Sequence, residues 1–334
     1  MRKALQWLSL PIAASLSGCP DYSVTRLAEM ETFNQLDGNL SVDFVWVMDN
    51  SGTMSEEQAS VVSGLEVFID VLESFGADWQ VGVITTDAES DTAGQIIGSV
   101  LTPLESDVET AFAAALDVGS DGAITEAGLE AMRLATTEPL RSGANAGLLR
   151  DTSDLAVVVV SDEDDQSNLA TTEYVAHLDA LKGAGHARVS AIVGDLPAGC
   201  ATPYAAADPG QRYRDVVDAT SGYADTICRR DFSDTMEALA LNGLGLTDTF
   251  YLAQVPEPPS IEVAVAGIKI YQRPQNGWQY DPGANAIVFD GYAIPGPGAQ
   301  VVVTYFAWTG TSLETTDEES TGDTADEAEA DDAP

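Results

Sequence analysis

The sequence has few basic side chains and very few histidines. Its 334 residues include 14 Lys and Arg against 54 Asp and Glu, so the formal net charge is −40 at pH 7. A surface of this sign repels a phosphate backbone, which excludes nucleic acid as an expected partner. Only His177 and His186 could supply an imidazole, and neither a Cys–His or Ser–His pairing nor a phosphate-binding Gly-rich Lys motif accompanies them. We therefore expect that the protein is not an enzyme.

Long apolar runs are also missing, apart from a short one at the N-terminus. Met1-Arg2-Lys3 precede an apolar stretch over 4–16, which is too short to span a bilayer comfortably. The following Leu16-Ser17-Gly18-Cys19 resembles a bacterial lipobox, in which cleavage leaves the cysteine as a lipid-bearing N-terminus. We predict a signal peptide over 1–18, a lipid anchor at Cys19 and a location in the bacterial cell envelope, at the outer membrane. The alternative is a general signal peptide followed by an incidental cysteine.

Three cysteines are too few for a disulfide-dense scaffold, and Cys19 is already assigned to the anchor. The other two, Cys200 and Cys228, are expected to form a disulfide because an exported chain can keep one. Closing a loop of this size stabilises a fold by about 3–4 kcal/mol on the chain-entropy model. Two free, separately buried thiols are the alternative.

From Leu40 onward, short apolar runs alternate with segments of helical periodicity. Strands are predicted at 42–48, 79–85, 155–161 and 187–194. Helices are predicted at 55–75, 107–116, 124–136, 168–183, 211–219 and 232–243. Strands separated by helices imply right-handed crossovers, so the predicted fold class is α/β, with a doubly wound, mostly parallel, Rossmann-like sheet over 40–250.

The sequence beyond Val255-Pro256-Glu257-Pro258-Pro259 shows strands and turns without helices. We predict a small antiparallel β module over 255–309, in which Trp278 and Tyr280 are core or cross-strand residues rather than a sugar platform. Such a module is expected to pack on the larger domain, since about 55 residues are marginal alone. Residues 19–39 are predicted to form a tether, and the acidic segment 310–334 to be disordered.

Acidic and hydroxyl side chains follow the predicted parallel strands, whose carboxyl ends meet at one rim where such sheets bind ligands. Asp49, Ser51 and Thr53 follow the first of these strands on alternate residues, and Gly52 allows a tight turn between them. A carboxylate and two hydroxyls that converge form a site for a hard cation, and oxygen ligands favour Mg²⁺ over Zn²⁺. Taken alone, this motif is more simply a polar loop that caps the next helix, but acidic loops accompany it.

These residues resemble a von Willebrand factor type A domain with a metal-ion-dependent adhesion site, and more closely the version found in exported bacterial lipoproteins. The resemblance covers about 40–250 and rests on three motifs, Asp49-x-Ser51-x-Thr53, Gly122-x-x-Thr125-x-x-Gly128-Leu129-Glu130-Ala131 and Ser161-Asp162. It implies that the hydroxyls of Ser51 and Thr53 contact the metal. It also implies that Asp49 and Asp162 balance the metal's charge, directly or through water.

One position departs from the family pattern. A hydroxyl ligand usually lies five residues before the Gly of the Gly-Leu pair, where this chain has Ala123. Thr125 or Ser120 could replace it if the loop is rearranged, and otherwise water fills the position. Thr125 is also a reasonable residue to begin a helix, without any metal. The sequence leaves these alternatives open.

The resemblance implies an envelope-anchored module that binds a protein through Mg²⁺, or through Mn²⁺ or Ca²⁺, with an acidic side chain of the partner completing the coordination. One alternative is a structural lipoprotein with a vestigial metal site, which Ala123 favours. A metal-dependent hydrolase is a weaker alternative because no second aspartate lies two residues after Asp49. The run Glu163-Asp164-Asp165 is interpreted as a solvated acidic loop rather than a second cation site, and Asp43 is a weaker candidate still.

Overall fold

The computed structural model describes residues 28–122, 125–203 and 205–308. The predicted signal peptide, the lipid anchor at Cys19, the first part of the tether and the acidic segment 310–334 lie outside these residues. Within the described part, no helix is both long enough and apolar enough to cross a membrane.

The described residues form fourteen strands and seven α-helices. The strands are β1 (Ala28–Asn34), β2 (Ser41–Met48), β3 (Asp78–Thr85), β4 (Asp154–Val160), β5 (Ala187–Val193), β6 (Cys200–Ala201), β7 (Ala206–Ala207), β8 (Ala224–Thr226), β9 (Thr249–Tyr251), β10 (Glu262–Val265), β11 (Ile268–Ile270), β12 (Trp278–Asp281), β13 (Ala286–Phe289) and β14 (Gln300–Phe306). The helices are α1 (Ser55–Ser63), α2 (Leu65–Ser74), α3 (Val108–Leu116), α4 (Gly128–Ala135), α5 (Thr171–Lys182), α6 (Gln211–Ala219) and α7 (Ser233–Gly243).

The central sheet has five parallel strands in the order β3-β2-β4-β5-β8. Strand order reverses at β2, which pairs with β3 on one side and with β4 on the other. The predicted doubly wound α/β fold is therefore confirmed. Four of these five strands are predicted from the sequence; β8, which has only three residues, is not.

Alternate residues of β2 enter two different cores, because successive side chains of a strand point to opposite faces. Phe44 and Trp46 belong to the core that also contains side chains of α1, α2, α3 and α7. Val45 and Val47 belong to the core formed with α4, α5 and α6. In the first core the Trp46 ring lies edge-on to Phe68 and Phe112, with centroids 5.6 Å apart in both pairs. Burial on both faces explains why these strands read as continuous apolar runs.

The second unit consists of two antiparallel sheets, β1-β14-β10-β11 and β12-β13-β9. Its buried side chains are continuous with the first core of the α/β unit, as expected for a module too small to stand alone. Trp278 is buried and donates its indole N–H to the carbonyl of Ile270 at 2.9 Å. Tyr280 pairs across the ladder with Ile287. Both aromatics are thus structural partners within the module.

The predicted tether is wrong over residues 28–34, because these residues form β1. All seven pair with β14, from Ala28 opposite Phe306 to Asn34 opposite Gln300. The sequence does not reveal this strand for two reasons. Its partner β14 lies at the far end of the chain, and the inward-facing residue Glu31 is acidic rather than apolar. The Glu31 carboxylate accepts hydrogen bonds from the Tyr305 hydroxyl and, at 3.0 Å, from the backbone N–H of Ala253.

Candidate metal centre

Asp49 begins the loop after β2 and is fully buried. One of its oxygens, Oδ1, accepts a hydrogen bond from the backbone N–H of Ser51 at 2.8 Å. The other, Oδ2, accepts one from the hydroxyl of Ser161 at 2.6 Å. The carboxylate is thus oriented by its own loop and by the end of β4, which neighbours β2 in the sheet.

Two of the three oxygen side chains of the first loop lie close together. The hydroxyls of Ser51 and Thr53 lie 3.2 Å apart, and Ser51 is buried whereas Thr53 is exposed. The Thr53 hydroxyl also reaches Asp162, where its hydrogen bond opposes the rise in that residue's pKa. Pairwise contacts therefore link the predicted ligands Asp49, Ser51, Thr53 and Asp162, and Thr53 is the exposed member of the set.

Asp162 follows β4 and is buried, with 6% of its surface exposed. Burial raises the pKa of its carboxyl group, and the nearby Asp49 carboxylate raises it further. Its Oδ1 has no hydrogen-bond partner among the described residues. A buried carboxylate oxygen without a donor is costly unless a cation or water satisfies it.

A glutamine ties the two loops of the site together. Gln58 on α1 donates to the carbonyl of Asp49 at 2.8 Å and to that of Gly119 at 3.0 Å. The backbone N–H of Gly122 then donates to the carbonyl of Asn50 at 2.8 Å. A Cβ atom at position 122 would lie 2.4 Å from the Asn50 side chain, which would have to move to make room. The loop of the Gly122 motif therefore does pack against the loop of Asp49.

The fifth predicted ligand, Thr125, is not joined to the other four by any hydrogen bond in the described part of the chain. Its side chain is half-buried at a bend before α4. The neighbouring residue, Glu126, reaches the site instead. Glu126 is 1% exposed; it accepts a hydrogen bond from the Thr86 hydroxyl, and its carboxyl group lies beside that of Asp49. Burial, followed by repulsion from Asp49, raises the pKa of Glu126 to about 8.

The sequence motifs do not point to Glu126, although it lies inside the second motif. The only signal was an acidic residue next to Thr125, just before the apolar start of α4. Its burial depends on the approach of the loops after β2 and β3, which the motif does not reveal. Glu57 on α1 was missed for the same reason: it is buried, and burial and the nearby carboxylates of Asp162, Glu56 and Asp49 raise its pKa.

This rim concentrates acceptor oxygens that lack donors. Among the described residues, seven buried side-chain nitrogen or oxygen atoms have no hydrogen-bond partner, and four of them are oxygens of this rim: Asn50 Oδ1, Glu57 Oε2, Glu126 Oε1 and Asp162 Oδ1. No group of three or more His, Cys, Asp and Glu side chains in the described ranges has a ready arrangement for a metal. The oxygen set here mixes two hydroxyls with carboxylates and suits a hard cation such as Mg²⁺ or Ca²⁺.

The other acids considered in the sequence have structural partners. Asp165, interpreted as part of a solvated loop, is instead buried: it accepts from Arg212 Nε at 3.0 Å and from the backbone N–H of Leu129 at 3.1 Å. Asp43 forms ion pairs with Arg150 at 2.7 Å and with Lys182 at 3.3 Å. Because Asp43 lies near the start of β2, it is far from the rim. Neither residue is available for a second cation.

Both histidines lie away from the rim. His177 on α5 shares a hydrogen bond of 2.8 Å with the Thr136 hydroxyl, and burial lowers its pKa. His186 precedes β5 and contacts Asp154 at 2.9 Å. Each imidazole thus has a partner outside the loops that hold Asp49 and Asp162.

The predicted disulfide is confirmed: Cys200 and Cys228 are bonded, with an S–S distance of 2.06 Å. It ties the β6–β7 hairpin to the segment after β8. Just after this hairpin, the backbone N–H of Asp208 donates to the carbonyl of Asp162 at 2.8 Å. The cross-link therefore stabilises a segment that supports one of the candidate ligands.

The parallel sheet, with its oxygen-rich loops at the carboxyl rim, fits a von Willebrand factor type A fold. No protein-family model matches the sequence, and no curated protein matches it. Among solved structures, the chain is similar to a von Willebrand factor type A protein from Catenulispora acidiphila, at 11% identity over 86% of this chain and 67% of that one, with a TM-score of 0.41.

Two further solved structures are similar. The pilus adhesin SpaC from Lactobacillus rhamnosus GG matches at 13% identity over 83% of this chain and 41% of that one, with a TM-score of 0.44. Proximal thread matrix protein 1 from the mussel byssus matches at 14% identity over 66% of this chain and 51% of that one, with a TM-score of 0.40. This chain spans only part of each of these proteins. Likeness at this level concerns the fold alone, and any function must be inferred from the residues of the rim.

Proposed function

We propose that this protein binds a protein partner through a divalent cation held at the rim of the parallel sheet. Ser51 and Thr53 would contact the cation through their hydroxyls, and Asp49 and Asp162 would balance its charge. When bound, the cation supplies a coordination position for an acidic side chain of the partner. Mg²⁺ is the expected ion, with Mn²⁺ or Ca²⁺ as substitutes.

One observation carries this proposal: buried oxygens without donors are concentrated at the rim that carries the predicted ligands. Asp162 Oδ1 and Glu126 Oε1 are buried and have no partner within the described residues. Burial, and then repulsion between neighbouring carboxylates, raises the pKa of Glu126, Asp162 and Glu163. A divalent cation would both coordinate these oxygens and offset the repulsion between the carboxylates.

The partner is proposed to meet the cation away from the membrane. Lipidation at Cys19 would anchor the chain in the bacterial envelope, at the outer membrane. The chain enters the α/β unit at Ser41, the amino end of β2, whereas Asp49 and Asp162 lie at the carboxyl ends of their strands. The rim therefore lies at the end of the parallel sheet opposite to the one where the chain enters it.

Cation binding can be tested by thermal unfolding of the chain from residue 20 onward, with Mg²⁺, Mn²⁺ or Ca²⁺ up to millimolar levels. We expect stabilisation of about 2–3 kcal/mol when the cation exceeds its Kd a hundredfold. The double variant Asp49→Ala, Asp162→Ala should lose this effect. A matched control is Asp179→Ala, Asp218→Ala, which removes the same charge from exposed positions on α5 and α6. If no cation shifts the wild-type protein, the site is vestigial and the proposal fails.

Partner binding needs a separate measurement. The immobilised wild-type protein should retain a protein from an envelope extract of its source organism with Mg²⁺ present and release it with EDTA. The Asp49→Ala, Asp162→Ala variant should retain none, and the Asp179→Ala, Asp218→Ala control should behave as wild type. If retention is unchanged by EDTA and by the double substitution, the partner binds to another surface.

A further inference from the structure

The second loop of the site has a carboxylate where a hydroxyl was expected. Position 123 is alanine, and in the described residues Thr125 forms no hydrogen bond to the other predicted ligands. Glu126 is the residue of this loop whose side chain lies beside Asp49. The loop therefore offers the site a third carboxylate, beside that of Asp49.

The surroundings of Glu126 hold one of its oxygens and leave the other unpartnered. Oε2 accepts the hydrogen bond from Thr86, the first residue after β3. Oε1 is buried and has no partner among the described residues. The backbone of this loop is fixed on both sides, because Ala127 N–H donates to the Thr86 carbonyl at 3.1 Å and Gln166 N–H donates to the Glu126 carbonyl at 2.6 Å. Oε1 thus occupies a defined place at the rim.

Two neighbouring carboxylates cannot satisfy each other, since ionised carboxylates only accept hydrogen bonds. Burying both groups in their ionised forms is therefore unfavourable unless a positive charge lies close to both. Arg212, the cation that pairs with the rim acid Asp165, is engaged at 3.0 Å with that residue and with the Ser167 and Leu169 carbonyls. A metal ion at the site of Asp49 would supply the missing charge.

We propose that Glu126 is a direct ligand of this metal, taking the position of the missing second-loop hydroxyl, and that this third carboxylate makes the site prefer Ca²⁺ to Mg²⁺. This inference rests on the proposed function. Ca²⁺ accepts six to eight oxygens, including several carboxylates, whereas Mg²⁺ keeps most of its waters and usually takes one or two carboxylates. Mg²⁺, the ion expected from the motif alone, should then bind to the site more weakly than Ca²⁺.

Calorimetric titration of the chain from residue 20 onward with CaCl₂ and with MgCl₂ tests this directly. The wild-type protein should bind Ca²⁺ at least about tenfold more tightly than Mg²⁺. Glu126→Gln keeps an acceptor for Thr86 and removes the charge; it should weaken Ca²⁺ binding by about 10–100-fold and Mg²⁺ binding by much less. Glu163→Gln is the matched control, because it removes a charge from the same rim and should change either affinity by less than about threefold.

The outcomes separate the two proposals. A wild-type protein that binds no cation would overturn both. If the wild-type protein binds cations but Glu126→Gln binds Ca²⁺ equally well, or loses no more affinity than Glu163→Gln, the proposed function stands and the role of Glu126 is wrong. Should Glu126→Gln not fold, the wild-type preference decides, since equal or inverse affinities for the two ions would contradict a third carboxylate ligand.

Discussion

The candidate site depends on side chains that are fixed before any ion binds. Asp49 has a donor for each of its two oxygens, and Gln58 bridges the loop of Asp49 to that of Gly119. Loops that are held in this way need little rearrangement on binding, which favours affinity. Cation binding at this site therefore does not depend on the movement of individual side chains.

Gly194, the residue after β5, shows how tightly the support of Asp162 is packed. A Cβ atom at this position would lie 1.9 Å from the carbonyl oxygen of Asp208. Gly194→Ala should lower the free energy of unfolding by about 1–3 kcal/mol, since the backbone must shift to make room. Because the Asp208 N–H donates to the Asp162 carbonyl, cation affinity should fall as well.

Urea unfolding and calorimetric titration measure these two effects. Gly296→Ala is the control, because a Cβ atom there has no neighbour within 4 Å. An unchanged midpoint for Gly194→Ala would show that the segment around Asp208 can move at little cost, and its role in supporting Asp162 would have to be abandoned.

Among the elements, β1 connects the two ends of the chain. It covers β14, whose other edge pairs with β10, so β14 is central in a sheet of four strands. Phe33 of β1 also packs against Phe250, with ring centroids 5.6 Å apart. The N-terminal segment is therefore part of the folded unit from residue 28 onward.

Truncation distinguishes this strand from a tether. A chain that starts at residue 28 should unfold at the same urea concentration as one that starts at residue 20. A chain that starts at residue 35 loses all of β1 and should be less stable by at least about 2 kcal/mol, the order of one buried aromatic side chain. Light scattering should also detect association, because β14 becomes an exposed edge. Equal midpoints for all three chains would contradict a structural role of β1.

The excess of acidic residues extends across the whole molecule, including the seam between α7 and the β module. Glu237 on α7 lies near Asp234, Asp248 and Asp290. Burial raises its pKa, and these three carboxylates raise it further. The seam holds together through apolar packing despite this repulsion, since both units share one core.

Glu237 makes stability depend on pH in a defined direction. A carboxyl group with a raised pKa binds its proton more tightly in the folded state, so its contribution is fully present below the unfolded pKa of about 4.5. That contribution is lost as the pH rises through the raised value. Glu237→Gln should therefore gain stability relative to the wild-type protein between pH 4.5 and pH 7.5.

Urea midpoints at the two pH values provide the measurement, and the difference between variant and wild type isolates this residue from the other acids. Glu66→Gln, on the exposed face of α2, is the control and should show the same difference at both pH values. A pH-independent difference for Glu237→Gln would show that the residue is not desolvated at the seam.

The sequence alone determined the parallel strands and most helices, the loop of Asp49, Ser51 and Thr53, and the position of Asp162. These features follow from local pattern: apolar periodicity sets the elements, and a residue after a parallel strand must lie at the rim. The alternation of oxygen side chains in the first loop likewise needs no distant partner. The one helix predicted over 55–75 is interrupted at Gly64, where a Cβ atom would lie 2.9 Å from Met236 of α7.

Only the tertiary structure decided which distant residues meet. Glu126 joins the site because the loops after β2 and β3 approach each other, β1 pairs with β14 from the opposite end of the chain, and Asp165 is held by Arg212. Each of these residues is acidic or lies in a polar segment, so its own sequence predicts exposure. Its place in the fold depends on donors and strands contributed from elsewhere, and local pattern carries no information about them.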